Sequence, residues 1–324
     1  MGVIMVARAS WGKVEGWRSV TSIVTEWGAI AAVLVLAIYL NSALAYVIAV
    51  VLLGALQHRL AALGHEAAHG TLFRFRFWND VTADAFCFFP ILGTVHNYRR
   101  WHLAHHASPN DPDRDPDILN LGPLLMRDRF PMSRRLMVRL VFWRWISAPA
   151  SLIRYGIEYM KLNTFGVGKG LGSTFLYQRW YSPRIASVAR VAFYVALGLV
   201  LAAISPRIAL LVVALWVVPL ATTFPYFLML RDTFQHTNAD AGRYTNTRVF
   251  RVHPIVRWAV FPYGQDLHLP HHASPSVPHY RLEALHHHLL ESRAGYGPAA
   301  VECRGVLWNR TGEPTISDVL TQGH

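Results

Sequence analysis

The sequence predicts an all-α, polytopic membrane protein with about four transmembrane helices in two hairpins and a histidine-rich cap on the cytoplasmic side. Of the 324 residues, 53% are hydrophobic and only 15% are charged, whereas a soluble domain usually carries about a quarter charged residues. Four apolar stretches are long enough to cross a bilayer. The chain also contains 17 histidines, many of them in short clusters between and after these stretches.

The first predicted hairpin consists of residues 19–40 and 43–63, with Asn41 and Ser42 as the turn. Each stretch has about the 20 residues that a helix needs to cross the hydrocarbon core. The start of the chain, Met1–Glu26, mixes charged residues with tryptophans, which is typical of an amphipathic interfacial segment. It lacks the pattern of a cleavable signal peptide.

The second predicted hairpin consists of residues 186–204 and 208–230. Pro219 and Pro225 lie inside its last stretch and predict a kink. The two outer turns contain one basic residue, Arg207, while nearly all other lysines and arginines lie on the opposite side. The positive-inside rule therefore predicts that both termini and the segment between the hairpins are cytoplasmic.

Two apolar pieces of the middle segment are not expected to cross the membrane. Val81–Val95 is too short and is interpreted as a re-entrant or surface-lying helix. Leu136–Leu162 is interrupted by charges, which favours an amphipathic surface helix over a fifth span. Because no repeat or linker is evident, residues 1–324 are expected to form a single domain.

The charge and the cysteines exclude other classes of protein. The net charge is +12, but the arginines lie beside the apolar stretches, where they would contact membrane lipid headgroups rather than nucleic acid. Cys87 and Cys303 are too few for a disulfide framework.

Three histidine boxes predict a metal site. Residues three and four apart share one face of a helix, and imidazole is a common ligand of iron, copper and zinc. A catalytic zinc takes three protein ligands, so eight histidines are enough for two ions of four to five ligands each. The boxes consist of His65 and His69, of His102, His105 and His106, and of His268, His271 and His272.

Further residues are candidates for completing this site. His236 follows the last apolar stretch, and Asp232 precedes it by one helical turn. We predict that His236 is a ninth ligand, and that Asp232 acts through water or as an ion-pair partner. The alternative for Asp232 is pairing with an arginine that faces lipid headgroups.

Carboxylates near the boxes can accept the second ring N–H of ligating histidines. The candidates are Glu66, Asp113, Asp115 and Asp117. The aspartates also suit a turn beginning at Asn110, and both interpretations can hold together. His58, His96 and His253 are isolated and are not expected to be ligands, and the run His286–His288 is interpreted as solvated surface.

These motifs resemble the integral-membrane fatty acid desaturase and hydroxylase superfamily, which includes carotenoid ketolases. The resemblance extends from about Gly64 to Leu290 and lies in the three boxes with their flanking residues. The first box is Gly64–Gly70, and the second is Arg99–His106, followed by Pro109-Asn110 and Asp115-Pro-Asp117. The third is His268–Leu282, which includes a Pro-x-Val-Pro-x-Tyr-x-Leu tail. In that superfamily His236 matches the isolated additional ligand. Gln235 departs from the acidic residue that often precedes this ligand.

The resemblance implies a non-haem di-iron centre that uses O2 to oxidise a lipid or acyl chain. Removing hydrogen from an unactivated methylene requires an oxidant that acid–base side chains cannot provide. The expected reaction is fatty acid desaturation, with lipid hydroxylation and carotenoid ketone formation as alternatives. Because the sequence has no His-Pro-Gly-Gly signature of a fused cytochrome b5, a separate donor of ferredoxin, rubredoxin or cytochrome b5 type is expected.

Two other classes of function fit less well. His65-Glu-x-x-His69 also matches the zinc metalloprotease motif, but a membrane protease leaves the histidines of the other two boxes unexplained. A histidine-rich metal transporter requires polar residues within the spans, and these spans have almost none.

Overall fold

The computed structural model describes residues 11–172 and 180–322, which are predominantly helical. The α-helices in these ranges are α1 (Gly16–Leu40), α2 (Ala43–Ala68), α3 (Arg76–Ala83), α4 (Val95–Ala107), α5 (Pro116–Asn120), α6 (Gly122–Leu125), α7 (Arg134–Met137), α8 (Arg144–Ser147), α9 (Pro149–Phe165), α10 (Pro183–Ala202), α11 (Pro206–Ala221), α12 (Thr223–His236), α13 (Pro254–Val260), α14 (His268–Ala273), α15 (Leu282–Ser292), α16 (Tyr296–Ala299) and α17 (Ile316–Thr321). Two short strands, β1 (Val249–Arg251) and β2 (Glu302–Arg304), pair with each other in parallel.

The predicted all-α membrane fold is confirmed. Within the described residues, four helical segments are long and apolar enough to cross a membrane, namely α1, α2, α10 and the combined α11 and α12. Asn41 turns the first hairpin with a left-handed backbone (φ 44°), and Ser42 caps α2 by accepting the Ala45 N–H at 3.2 Å. Of Met1–Glu26, residues 1–10 lie outside the described residues, and α1 begins at Gly16.

The last span is divided into two helices, where the sequence predicts only a kink. The helix breaks at Thr222 (φ −126°, ψ −82°), with Pro219 before the break and Pro225 after it. Proline lacks an N–H and disfavours helical geometry in the preceding residue. Beside the break, the Thr223 hydroxyl donates to the Val50 carbonyl at 2.7 Å, which ties α12 to α2.

The middle segment is more broken than the sequence predicts. Val81–Val95 is not one helix, because α3 passes into a π-turn (Asp84–Phe88) and a 3-10 turn (Phe89–Ile91) before α4 begins. Leu136–Leu162 is likewise divided, with α7, a π-turn (Val138–Phe142) and α8 preceding α9. Neither is among the candidate spans, and α9 buries Leu152, Tyr155, Tyr159 and Leu162 on one face.

The interpretation of His286 as solvated surface is wrong. His286 is fully buried, and its Nδ1 and Nε2 each lie 2.8 Å from an oxygen, of Tyr296 and Glu302 respectively. Because a carboxylate only accepts, Nε2–H donates to Glu302 and the Tyr296 hydroxyl donates to Nδ1. His287 and His288 are exposed, as expected.

Close helix packing depends on glycine at two positions of α2. A Cβ at Gly64 would lie 2.6 Å from the Phe88 ring, and a Cβ at Gly54 would lie 2.0 Å from the Thr223 hydroxyl. These contacts hold α2 against the turn before α4 and against α12. The centre of the fold is therefore α2, which is buried continuously from Leu60 to Ala68.

We expect Gly54→Ala to destabilise the protein by about 1–3 kcal/mol, because the added methyl group overpacks the contact between α2 and α12. The thermal unfolding midpoint of the purified protein in detergent measures this effect. Gly28→Ala is the matched control, since nothing lies within 4 Å of a Cβ there. Equal midpoints for the two variants would contradict this account of the packing.

Candidate metal centre

Four helices bring the nine predicted histidines together. His65 lies in the last turn of α2, which His69 caps at its C-terminal end. The second box lies on α4, the third opens α14, and His236 is the last residue of α12. Helical spacing turns the imidazoles of each box toward one side of its helix, and the packing of these helices then places all nine rings in one region.

Five histidines form the first cluster, namely His65, His69, His102, His106 and His271. One possible ligand atom from each lies within 4.8 Å of all the others. Within this cluster the Nε2 atoms of His69 and His102 are 2.9 Å apart, those of His102 and His106 are 3.1 Å apart, and those of His106 and His271 are 3.2 Å apart.

The other four histidines form the second cluster. Ligand atoms of His105, His236 and His272 lie within 4.8 Å of one another. The Nε2 atom of His268 lies 2.9 Å from that of His236 and 3.1 Å from that of His272. The clusters adjoin, since the rings of His106 and His272 stack with centroids 4.2 Å apart.

The geometry of both clusters suits metal ions. Two nitrogens that each lie about 2.1 Å from one ion are about 3 Å apart at a right angle, which is the spacing found here. His105 faces Asp115 through Nδ1 at 2.9 Å, and His236 faces the Asn246 carbonyl through Nδ1 at 3.1 Å. These oxygens accept hydrogen bonds from the Nδ1–H groups, so Nε2 is the nitrogen of each ring that is available to a metal. The Nε2 atom of His65 is buried and has no hydrogen-bond partner among residues 11–172 and 180–322.

Burial and charge divide the histidines into two electrostatic groups. Burial and neighbouring imidazoles hold the pKa values of His102 and His106 well below the usual value, and burial with His65 does the same for His271. These rings stay neutral and keep the lone pairs that a metal requires. Burial alone would also lower the pKa of His105, but the carboxylates of Asp117 and Asp115 outweigh it and raise that pKa to about 9.

The acidic residues predicted to support the histidines do not all do so. Asp115 accepts from His105 Nδ1 at 2.9 Å, and Asp117 lies 3.4 Å from the same nitrogen. Asp113 is exposed and donates its backbone N–H to Asp111 Oδ1, so it belongs to the turn and not to the site. Glu66 is buried 3.8 Å from His65 Nδ1.

The histidines present two different faces. Five of them, together with Tyr98, Trp101 and Asp117, line a buried cavity with room for about one water molecule. Asp232 also lines it, ion-paired with Arg231 at 2.8 Å and accepting from the Tyr155 hydroxyl. Because Arg231 is itself buried, the headgroup-facing alternative for Asp232 is wrong. The other face carries the partly exposed rings His69, His106 and His272.

The partners of the predicted residues, Thr71, Gln265 and His279, were not singled out by the sequence. Glu66 accepts the His279 backbone N–H at 3.0 Å and the Thr71 hydroxyl at 2.9 Å. Gln265 lies 3.2 Å from His65 Nδ1 and accepts from Gln235. The Pro-x-Val-Pro-x-Tyr tail that contains His279 is the one sequence feature that points to any of them.

The isolated histidines lie outside both clusters. His58 is buried in α2, stacks on Phe227 and faces the Ala259 carbonyl at 2.9 Å. His253 caps α13 by accepting the Ile255 N–H at 3.3 Å. His96 is buried beside Tyr181.

Comparison with known proteins gives one family. The family model described as fatty acid desaturase matches residues 41–303. Dihydrorhizobitoxine desaturase from Bradyrhizobium elkanii is 26% identical over 283 residues, which cover 86% of this chain and 77% of that protein. A Delta(8)-fatty-acid desaturase from Euglena gracilis is 33% identical over 97 residues, which cover 28% of this chain and 23% of that protein.

We expect Asp115→Asn to weaken metal binding about 10–100-fold, because the variant loses the carboxylate that orients His105. Metal retained per chain after competition with a graded series of chelator concentrations measures this effect. Asp113→Asn is the matched control and should retain metal like the unaltered protein. Equal metal loss from both variants would contradict the assigned role of Asp115.

Proposed function

The chain belongs to the fatty acid desaturase family, and we propose that it desaturates a lipid or acyl chain with O2 at a pair of iron ions. The first ion is held by His65, His69, His102, His106 and His271, and the second by His105, His236, His268 and His272. Two electrons per turnover come from a separate donor protein of ferredoxin, rubredoxin or cytochrome b5 type. These two electrons, two protons and the two hydrogens removed from the chain together reduce O2 to two molecules of water.

The observation that carries this proposal is the pair of adjoining clusters with five and four histidines. A protease with one zinc needs three protein ligands and an open position. Its Glu66 would also have to act as a free general base, whereas here this carboxylate is engaged by Thr71 and His279. The geometry therefore favours a two-metal oxidase over a His-Glu-x-x-His protease.

The protein's own residues prepare the site for this chemistry. Iron, when bound, supplies the oxidising power that no side chain has. Asp115 and the Asn246 carbonyl hold protons on the Nδ1 atoms of His105 and His236, so that both Nε2 atoms face inward. Burial of most of the imidazoles keeps water away from the reacting carbon, which limits side reactions.

The assignment of an acyl chain rests on the family and on the membrane setting. The relative from Euglena gracilis is named for a fatty acid and the relative from Bradyrhizobium elkanii for dihydrorhizobitoxine, so substrates differ among related proteins. Desaturation is favoured over hydroxylation and ketone formation because both relatives are named desaturases.

The proposed topology places both termini and the metal centre in the cytoplasm. The outer turns at Asn41 and at Ser205–Arg207 contain a single basic residue, which supports this orientation. We expect cysteines introduced singly at Asn41 and Ala241, both exposed, to react with a membrane-impermeant thiol reagent from opposite sides of the membrane. The natural Cys87 and Cys303 are buried and should stay silent. Labelling of both sites from one side would rule out this topology.

Lipids from cells that express the protein should contain chains lacking two hydrogens relative to cells that express His236→Ala, as measured by mass spectrometry. The purified protein should contain about two irons per chain, and His236→Ala should contain less, because the variant loses one ligand of the second ion. His288→Ala is the matched control, since this ring is exposed and outside both clusters.

Three results would contradict the proposal in different ways. One zinc per chain would favour the protease. Gain of one oxygen without loss of hydrogens would identify a hydroxylase. Full iron content and a normal rate in His236→Ala would place His236 outside the site.

A further inference from the structure

One buried guanidinium, that of Arg127, has no hydrogen-bond partner within the described part of the chain. Arg127 follows Met126, whose left-handed backbone (φ 57°) ends α6 and redirects the chain. The Nε, Nη1 and Nη2 atoms of Arg127 are all buried, and none has a hydrogen-bond partner among the described residues. A guanidinium carries five N–H donors, so its hydrogen-bonding capacity is unused.

Nearby acidic groups interact with the charge of Arg127 but accept none of its hydrogen bonds among the described residues. Arg127 interacts electrostatically with His105, Asp115 and Asp117, so it lies near the second cluster. Asp115, however, already accepts from His105 and from the Asn110 N–H at 2.7 Å. Burying a cation without hydrogen-bond acceptors for its N–H groups costs folding free energy. A bound oxyanion would supply those acceptors and remove this cost.

The surroundings of Arg127 also attract anions. Residues 127–139 contain five arginines and one acidic residue, Asp128. Arg129, Arg134 and Arg135 are exposed. Clustered charge of one sign raises the local concentration of oppositely charged ligands.

Building on the proposed oxidation of an acyl chain, we propose that Arg127 binds the oxyanion end of the substrate, a carboxylate or a phosphate. Arginine pairs with both through two parallel hydrogen bonds. Because Arg127 lies close to the second cluster, a substrate held there has its charged end near the metals. Arg127 thereby selects substrates with a charged end over neutral esters and limits which carbon is oxidised.

A water molecule offers the competing account. Asp117 Oδ1 is also buried and has no hydrogen-bond partner in the described part of the chain. One water between it and Arg127 would satisfy both groups without a ligand. The experiment must therefore measure oxyanion binding directly and separately from turnover.

Calorimetric titration of the full-length protein in lipid nanodiscs, corrected with empty nanodiscs, measures this binding. The probes are octanoate, its methyl ester and inorganic phosphate. Octanoate should bind the unaltered protein, and Arg127→Gln should bind it at least about tenfold more weakly through loss of a charge-assisted pair. Arg129→Gln, an exposed arginine of the same turn, is the matched control and should bind it normally. The methyl ester should not distinguish the three proteins.

Equal octanoate binding by the unaltered protein and Arg127→Gln would overturn the proposal in favour of bridging water. Arg127-dependent binding of phosphate without binding of octanoate would overturn the assignment to the substrate. If Arg127→Gln does not fold, Arg127→Lys replaces it, and octanoate binding as tight as in the unaltered protein would count against a bidentate pair. Arg127-dependent octanoate binding by a protein that oxidises no lipid would leave this site standing and refute the oxidation.

Discussion

The convergence of nine imidazoles is the constraint on which the rest of the structure depends. To bind the proposed metal ions, each ring must present a lone pair inward, and a neutral imidazole does so only when its other nitrogen keeps the proton. That proton needs an acceptor such as Asp115 or the Asn246 carbonyl. The loops around the site therefore have to be as well ordered as the helices that carry the histidines, because they supply these acceptors.

The membrane helices meet this requirement by packing around α2. Gly54 and Gly64 let α12 and the turn before α4 approach α2 closely, so that His236 and the second box reach His65. The break at Thr222 separates a lipid-facing part, α11, from α12, which is buried from Leu228 to His236. One hairpin thus supplies two apolar helical segments and also places His236 in the second cluster.

Local sequence patterns predict those structural features that are determined by residues close together in the chain. The spans follow from about 20 consecutive apolar residues, and the boxes follow from helical spacing. His286 was mispredicted because its partner Glu302 lies 16 residues away and outside its helix. Asp113 and Asp115 are two residues apart in one acidic turn, yet only Asp115 faces His105. The turn geometry that separates them, and the breaks that divide Leu136–Leu162, arise from tertiary packing.

Carboxylates next to the two histidine clusters explain how a site lined by uncharged ligands could hold metal cations. Imidazole rings contribute no negative charge, and a buried cation without counter-charge is unstable. Here Glu66, Asp115 and Asp117 are buried directly behind the rings, close enough to balance charge without joining either cluster. Asp232 differs, because Arg231 already neutralises it. The carboxylates behind the rings therefore set the charge of the site, while Asp232 and Arg231 keep the cavity wall polar without changing that charge.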